Sequence, residues 1–106
     1  MEATKDRATE YWDNEIKRAA GDTAKALVAY QIAKKEEEHA FYRKLDADAN
    51  GLSEDTREFA LENYKCRAIN SSYKWDAYIM ASKWESIIRR AAASYKLRKS
   101  AKKANK

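Results

Sequence analysis

The sequence predicts an all-α protein, folded as an antiparallel helical hairpin or as a small bundle of two to four helices. Its 106 residues include no Pro and only two Gly, and helix-favouring residues dominate the composition. Apolar residues also recur at steps of three and four, which is the period of an amphipathic helix. Because Ala supplies much of the 44% hydrophobic content, one chain can build only a thin core. We therefore expect self-association, most simply as a dimer, or a partner protein to complete the core.

The first half of the chain predicts one helical stripe. Its members are Trp12, Ile16, Ala19, Ala20, Thr23, Leu27, Tyr30, Phe41 and Leu45. Polar residues 34–38 interrupt this stripe. Gly21 leaves open whether the chain kinks or reverses there, and a single Gly inside a helix costs only about 1 kcal/mol. A continuous or kinked helix is therefore favoured over a reversal.

Residues 46–53 predict the main turn. Gly51 follows an Asn and tolerates the positive φ that ends helices, while Ser53 is a good N-cap residue. Glu54 and Asp55 then fall in the first turn of the next helix, where carboxylates favour the positive end of the helix dipole. We predict a helix boundary here, within a single helical domain that spans residues 1–99.

The second half predicts a stripe with nearly heptad spacing that faces a partner helix. Its members are Phe59, Cys66, Tyr73, Ala77, Met80, Trp84, Ile87 and Ala91. In this interpretation Cys66 is a small packing residue. Residues 70–72 are indifferent helix formers that allow a kink, and residues 100–106 are predicted to form a disordered basic tail.

The segment Asp46-Ala47-Asp48-Ala49-Asn50-Gly51 resembles the first six positions of an EF-hand calcium loop. The twelfth position of such a loop supplies a bidentate Glu, but here it is Arg57. A helix end followed by a turn and an N-cap accounts for each residue without a metal. Calcium binding is thus only a distant alternative.

A second fragment, Glu36-x-x-His39, resembles the i, i+3 ligand pair of ferritin-like di-iron proteins. Glu10 or Glu15 would supply the partner carboxylate if the chain reversed at Gly21. The competing interpretation is a solvated charged face, which is the usual role of a charge run on a helix. We therefore predict no metal site and no cofactor.

Aromatic residues between Tyr73 and Trp84 exceed what one helical stripe needs. If Trp84 faces the partner helix, Trp75 and Ile79 point to another side and are free to anchor an interface. A four-helix dimer core that covers both faces of the helix is the equally weighted alternative. The predicted function is a non-enzymatic helical protein that docks on a larger protein and modulates it. The predicted contacts are Trp75, Tyr78, Ile79, Trp84, Arg89 and Arg90.

Charge is divided unevenly along the chain. Residues 1–62 carry ten basic and fifteen acidic residues, a net charge of −5, whereas residues 63–106 carry twelve and two, a net charge of +10. A basic, aromatic segment also suits sequence-tolerant nucleic-acid binding, because cations neutralise phosphates and aromatic rings stack on bases. The residues of this alternative are Arg89, Arg90, Lys96, Arg98, Lys99, Lys102 and Lys103. The acidic first half favours a protein partner over nucleic acid.

Other functional classes lack sequence support. The chain has no Gly-rich phosphate loop and no nucleophile with a recognisable base, so no catalytic residue is predicted. A charged start and the lack of a long apolar run predict a cytoplasmic protein that does not bind membranes. Short helical chains of this composition are typical of accessory proteins of phages and mobile elements.

Overall fold

Two long helices form an antiparallel hairpin in the computed structural model, which describes residues 6–104 and the side chains of residues 6–102. Helix α1 spans Arg7–Ala49 and helix α2 spans Glu54–Ala104. The predicted all-α hairpin is therefore confirmed. Helix α1 runs without a break through Gly21, and α2 runs without a break through residues 70–72.

Helix α1 begins at a capped end that the sequence analysis did not identify. Asp6 precedes the helix, and its carboxylate accepts a hydrogen bond of 2.7 Å from the Thr9 backbone N–H. The Asp6 carbonyl accepts the first intrahelical bond, from the Glu10 N–H at 3.1 Å. Asp6 therefore satisfies an otherwise unpaired helical donor, and its negative charge favours the helix N-terminus.

The turn between the helices follows the predicted residues. The Leu52 N–H donates to the Ala47 carbonyl at 3.2 Å, and the Gly51 N–H donates to the Asp48 carbonyl at 3.4 Å. This hydrogen-bond pair is the Schellman motif, which requires a left-handed residue after the helix. Gly51 supplies that conformation with φ of 60°.

Ser53 caps the start of α2, as predicted. Its hydroxyl accepts a hydrogen bond from the Thr56 N–H at 3.3 Å, and its carbonyl accepts one from the Arg57 N–H at 3.0 Å. Glu54 and Asp55 lie in the first turn of the helix. The two caps set the helix boundaries on either side of a very short connection.

The C-terminal end of α2 extends further than predicted. Residues 100–104, the first five of the predicted disordered tail, are helical. Ala and Lys are both good helix formers, so the helix continues although few apolar groups are available to bury. Residues 105 and 106 lie outside the described residues.

Alanines at seven-residue intervals form the inner face of α1. The series is Ala19, Ala26, Ala33, Ala40 and Ala47, and all but the half-buried Ala26 are at most 3% exposed. Heptad spacing keeps these positions on one side of the helix. Methyl groups are thus the main side chains that α1 buries.

The predicted stripe of α1 is correct only in its first part. Ala19 is buried and the other members up to Tyr30 are half-buried, whereas Phe41 and Leu45 are exposed. The inner positions of this region are occupied instead by Ala33, Ala40 and Ala47. These alanines were not part of the predicted stripe, which had a polar gap and two large side chains here.

The predicted stripe of α2 is wrong in its orientation. All of its members are exposed except the half-buried Ala91, and Cys66 is an exposed thiol instead of a packing residue. The buried residues of α2 are instead Ala60, Ser71, Ile88 and Ala92. Most of these side chains are small, whereas most members of the predicted stripe are large.

The chain divides into two compact units that share the two helices. The terminal unit comprises Met1–Ala24 and Ile79–Lys106, and the turn unit comprises Lys25–Tyr78. Within the described residues, neither helix has a segment that is apolar enough over sufficient length to cross a membrane.

Candidate functional site

Aromatic packing joins the two helices within the turn unit. The ring of Trp75 lies 5.0 Å from that of Tyr30 and 5.5 Å from that of Tyr78, measured between centroids. Phe41 and Tyr64 form a second pair across the helices, at 5.5 Å. Such offset and tilted ring pairs are favourable beyond the area they bury. Trp75 and Tyr78, two of the predicted partner contacts, therefore take part in packing inside this unit.

Polar contacts add to the aromatic pairs in the turn unit. Arg67 binds Glu36 at 3.0 Å, and the Ser71 hydroxyl lies 3.1 Å from both a Glu37 carboxylate oxygen and the Ala68 carbonyl. The hydroxyl has one hydrogen and donates it to one of these acceptors at a time. Glu37 also accepts a hydrogen bond of 2.7 Å from Lys34, which raises the pKa of that ammonium group.

The terminal unit is joined by charged and hydroxyl groups. Lys96 pairs with Asp13 at 3.4 Å, and Lys99 pairs with Asp6, the residue that caps α1. The Tyr95 hydroxyl also donates to Asp6 at 3.4 Å. These contacts join the end of α2 to the beginning of α1.

Glu85 is a further charged link within the terminal unit. Two hydrogen bonds lower the pKa of the Glu85 carboxyl: the one from the Thr23 hydroxyl has the larger effect and the one from Arg89 the smaller. Arg89 approaches it to 2.8 Å. Because the Thr23 hydroxyl also lies 3.0 Å from the Ala19 carbonyl, its one hydrogen serves either acceptor. Glu85 and Arg89 thus form an ion pair on the chain's own surface.

Large apolar side chains of the terminal unit face solvent on α2, and three of them follow one another at steps of four and three. Met80 is 70% exposed, Trp84 is 56% exposed and Ile87 is 47% exposed. We call these three residues the outward face. Each residue turns an α-helix by about 100°, so Ile87 points about 100° away from its buried neighbour Ile88. The outward face is therefore a second apolar face of α2, separate from the buried face through which this helix packs against α1.

Exposed cations border the outward face. Lys83 directly precedes Trp84, and Arg90 directly precedes Ala91. Arg98 lies two heptads after Trp84. Within the described residues these three cations and Lys102 form no ion pair. Arg98 and Lys102, together with Tyr95 and Lys99, line a cavity of about 310 Å³. Lys103 belongs to the predicted nucleic-acid set, but its side chain lies outside the described part of the chain.

The remaining predicted contacts differ in their surroundings. Ile79 is half-buried, Arg90 is exposed, and Arg89 is held by Glu85. Of the predicted contacts, Trp84 thus belongs to the outward face and Arg90 lies beside it, while Trp75 and Arg89 are exposed but contact other residues of the chain. Met80 and Ile87 belong to the stripe that was predicted to face a partner helix, but both are exposed, and their steps of four and three to Trp84 are the signal for a second apolar face.

The two metal-like fragments occupy ordinary helical positions. Asp46 and Asp48 lie inside the last turn of α1, and Lys44 approaches Asp48 at 3.4 Å. Glu36 pairs with Arg67, while His39 is exposed. Over residues 6–104, no group of three or more His, Cys, Asp or Glu side chains is arranged to hold a metal ion.

Comparison with known proteins adds no further assignment. The chain matches no protein-family model, no curated protein and no solved structure.

Proposed function

We propose that this protein is a non-enzymatic helical interaction protein, which binds a larger protein partner through the outward face of α2 and modulates that partner. The proposal rests on one observation: Met80, Trp84 and Ile87 are all exposed at steps of four and three on one helix. This spacing matches the anchor positions that an amphipathic helix presents to another helix.

The outward face has the chemical character of an interface. Single exposed apolar residues are common on protein surfaces, but three large ones at helical spacing form a patch. Trp is also among the side chains that contribute most often to binding energy when they are truncated. Burial of such a patch against a partner removes apolar area from water, and that is the main favourable term in association.

The ion pairs of the terminal unit favour protein binding over nucleic-acid binding. Arg89, Lys96 and Lys99 were predicted phosphate contacts, yet each is paired with a carboxylate of the same unit. A phosphate would have to compete with these carboxylates. In addition, phosphate groups make no use of Met80 and Ile87, whereas a protein partner does.

Site-specific photo-crosslinking tests this function. A photoreactive amino acid is placed at position 84 of the full chain and, as the matched control, at the exposed position 93 of the same helix. In the cells that make the protein, we expect position 84 to capture one defined partner and position 93 not to capture it. The same capture should be lost when Met80→Ala and Ile87→Ala are added.

Two results would contradict the proposal. Identical crosslinked products from positions 84 and 93 would show that proteins contact the helix without specificity. The lack of any protein product from position 84 would show that no protein partner binds the outward face. Far-UV circular dichroism of each variant shows whether the helices persist, which is expected because the changed side chains are exposed.

A further inference from the structure

The charge around the outward face narrows the kind of partner that fits it. Between Ile79 and Lys106 the sequence contains a single acidic residue, Glu85. That carboxylate is already paired with Arg89 at 2.8 Å within the terminal unit. No uncommitted carboxylate of this segment therefore remains to neutralise the cations beside the outward face.

Helix geometry places those cations where a docked helix would meet them. Lys83 and Arg90 are seven residues apart, so they lie on one edge of the outward face, about 100° from Trp84 and Ala91. Arg98 continues the line of Trp84 and Ala91 by one more heptad. An amphipathic helix on this face would thus find apolar groups along its centre and positive charge along one edge and at one end.

A second copy of the chain that docked through its own outward face would not complement this charge. Two outward faces packed together would bring Lys83 and Arg90 of each copy near the same cations of the other. Val28 and Ile32 are exposed apolar residues of α1, and they too are bordered by cations. Lys25 lies three residues before Val28, and Lys35 lies three residues after Ile32. Like charges beside an interface oppose association.

We propose that the outward face binds an amphipathic helix of an acidic partner protein. Apolar residues of that helix, spaced at three and four, pack against Met80, Trp84 and Ile87. Its Asp and Glu side chains pair with Lys83, Arg90 and Arg98, and one of them enters the cavity that Arg98 and Lys102 line. This inference rests on the proposed function and specifies the chemistry of the partner.

Peptide binding to the purified full chain provides the test. The probe is a fluorescently labelled amphipathic helix of about three heptads, with Leu at the a and d positions and Glu at the flanking positions. The matched peptide carries Lys in place of Glu. We expect the acidic peptide to bind at least about tenfold more tightly than the basic one, and its affinity to fall as salt is added.

Charge reversal on the protein should exchange this preference. Lys83→Glu with Arg90→Glu should weaken the acidic peptide about tenfold or more and strengthen the basic one. The control variant, Lys65→Glu with Lys74→Glu, makes the same change in net charge at exposed positions of α2 in the turn unit and should leave the preference unchanged. Met80→Ala with Trp84→Ala should weaken both peptides.

Four outcomes would overturn the inference. Equal affinity for the two peptides would contradict the preference for an acidic partner, although the crosslinking result from position 84 could still stand. Unchanged binding by the Met80 and Trp84 variant would show that the peptides do not bind the outward face. A dimer seen by sedimentation that this variant loses would assign the face to a second copy. Oligonucleotide binding that is lost only on charge reversal would assign the cations to nucleic acid.

Discussion

Neighbouring residues of α2 differ sharply in exposure because they lie on different faces of the helix. Ala60 is 9% exposed, whereas Phe59 beside it is 74% exposed; Ile88 is 7% exposed, whereas Ile87 is 47% exposed. The inner face of α2 is made mainly of small or polar side chains, and the outer face carries several of its largest apolar ones. Hydrophobicity alone therefore did not decide which face was buried.

The inner face of α1 explains this choice. α1 presents alanines at seven-residue intervals, and small side chains at a helix interface allow two helices to approach closely. A close approach leaves room for groups such as those of Ser71 and Ala92, but large side chains would have to be accommodated by separating the helices. The large residues of α2 are consequently left exposed.

Enlarging the inner face should have the largest effect on stability. Ala92 is 2% exposed, so Ala92→Leu adds a bulky side chain to a filled space and should lower the free energy of unfolding by about 2 kcal/mol. Ala93→Leu is the matched control because Ala93 is the exposed next residue. Urea unfolding followed by circular dichroism measures both, and equal midpoints for the two variants would show that α2 does not pack through Ala92.

Removing the buried hydroxyl should have an intermediate effect. Ser71→Ala loses the hydrogen bond that the hydroxyl donates to Glu37 or to the Ala68 carbonyl, a loss of about 1 kcal/mol, while the greater helix propensity of Ala offsets a few tenths. Ser72→Ala changes the exposed neighbour and should be neutral or slightly stabilising. The difference between the two unfolding free energies isolates the hydrogen bond, and a difference near zero would argue against it.

Acid titration should reveal the smallest effect. The pKa of Glu85 is lowered in the folded protein by the Thr23 hydroxyl and Arg89. Its contribution to stability is therefore present above the ordinary pKa of an unfolded Glu, and it is lost as the pH falls through the lowered folded value. Glu85→Gln should thus lose less stability on acidification than the unmodified protein does.

Glu62→Gln is the control for that titration. Glu62 is an exposed carboxylate of the same helix, 3.6 Å from Lys65. Thermal unfolding of the Glu85→Gln and Glu62→Gln variants is followed across this pH range beside that of the unmodified protein. If the Glu85 variant followed the profile of the unmodified protein, the contacts of Glu85 with Thr23 and Arg89 would not persist in solution.

The local features of the hairpin were readable from the sequence. Ser53 is an N-cap and Gly51 takes positive φ, because both depend on a few neighbouring atoms. Gly21 lies within a continuous helix, as its small local cost allowed. The N-cap Asp6 was missed, although an Asp just before a helix-favouring run is a recognised start signal.

The candidate site was only partly predictable. Trp84 and Arg90 are exposed, as partner contacts must be, although the sequence analysis also placed Trp84 in the stripe that faces a partner helix. In the structure Trp75 packs against Tyr30 with 44% of its surface still exposed, and Met80 and Ile87, which were predicted to face a partner helix, are also exposed. Two apolar faces on one helix cannot be ranked from their spacing alone, because both have a helical period.

The sequence by itself determined the helices, their caps, the turn and the uneven charge, since these depend on local conformation and composition. Only the tertiary structure decided which face of α2 is buried. That decision depends on the room that α1 leaves between the helices, and the room is set by alanines whose role appears only when the two helices are placed together.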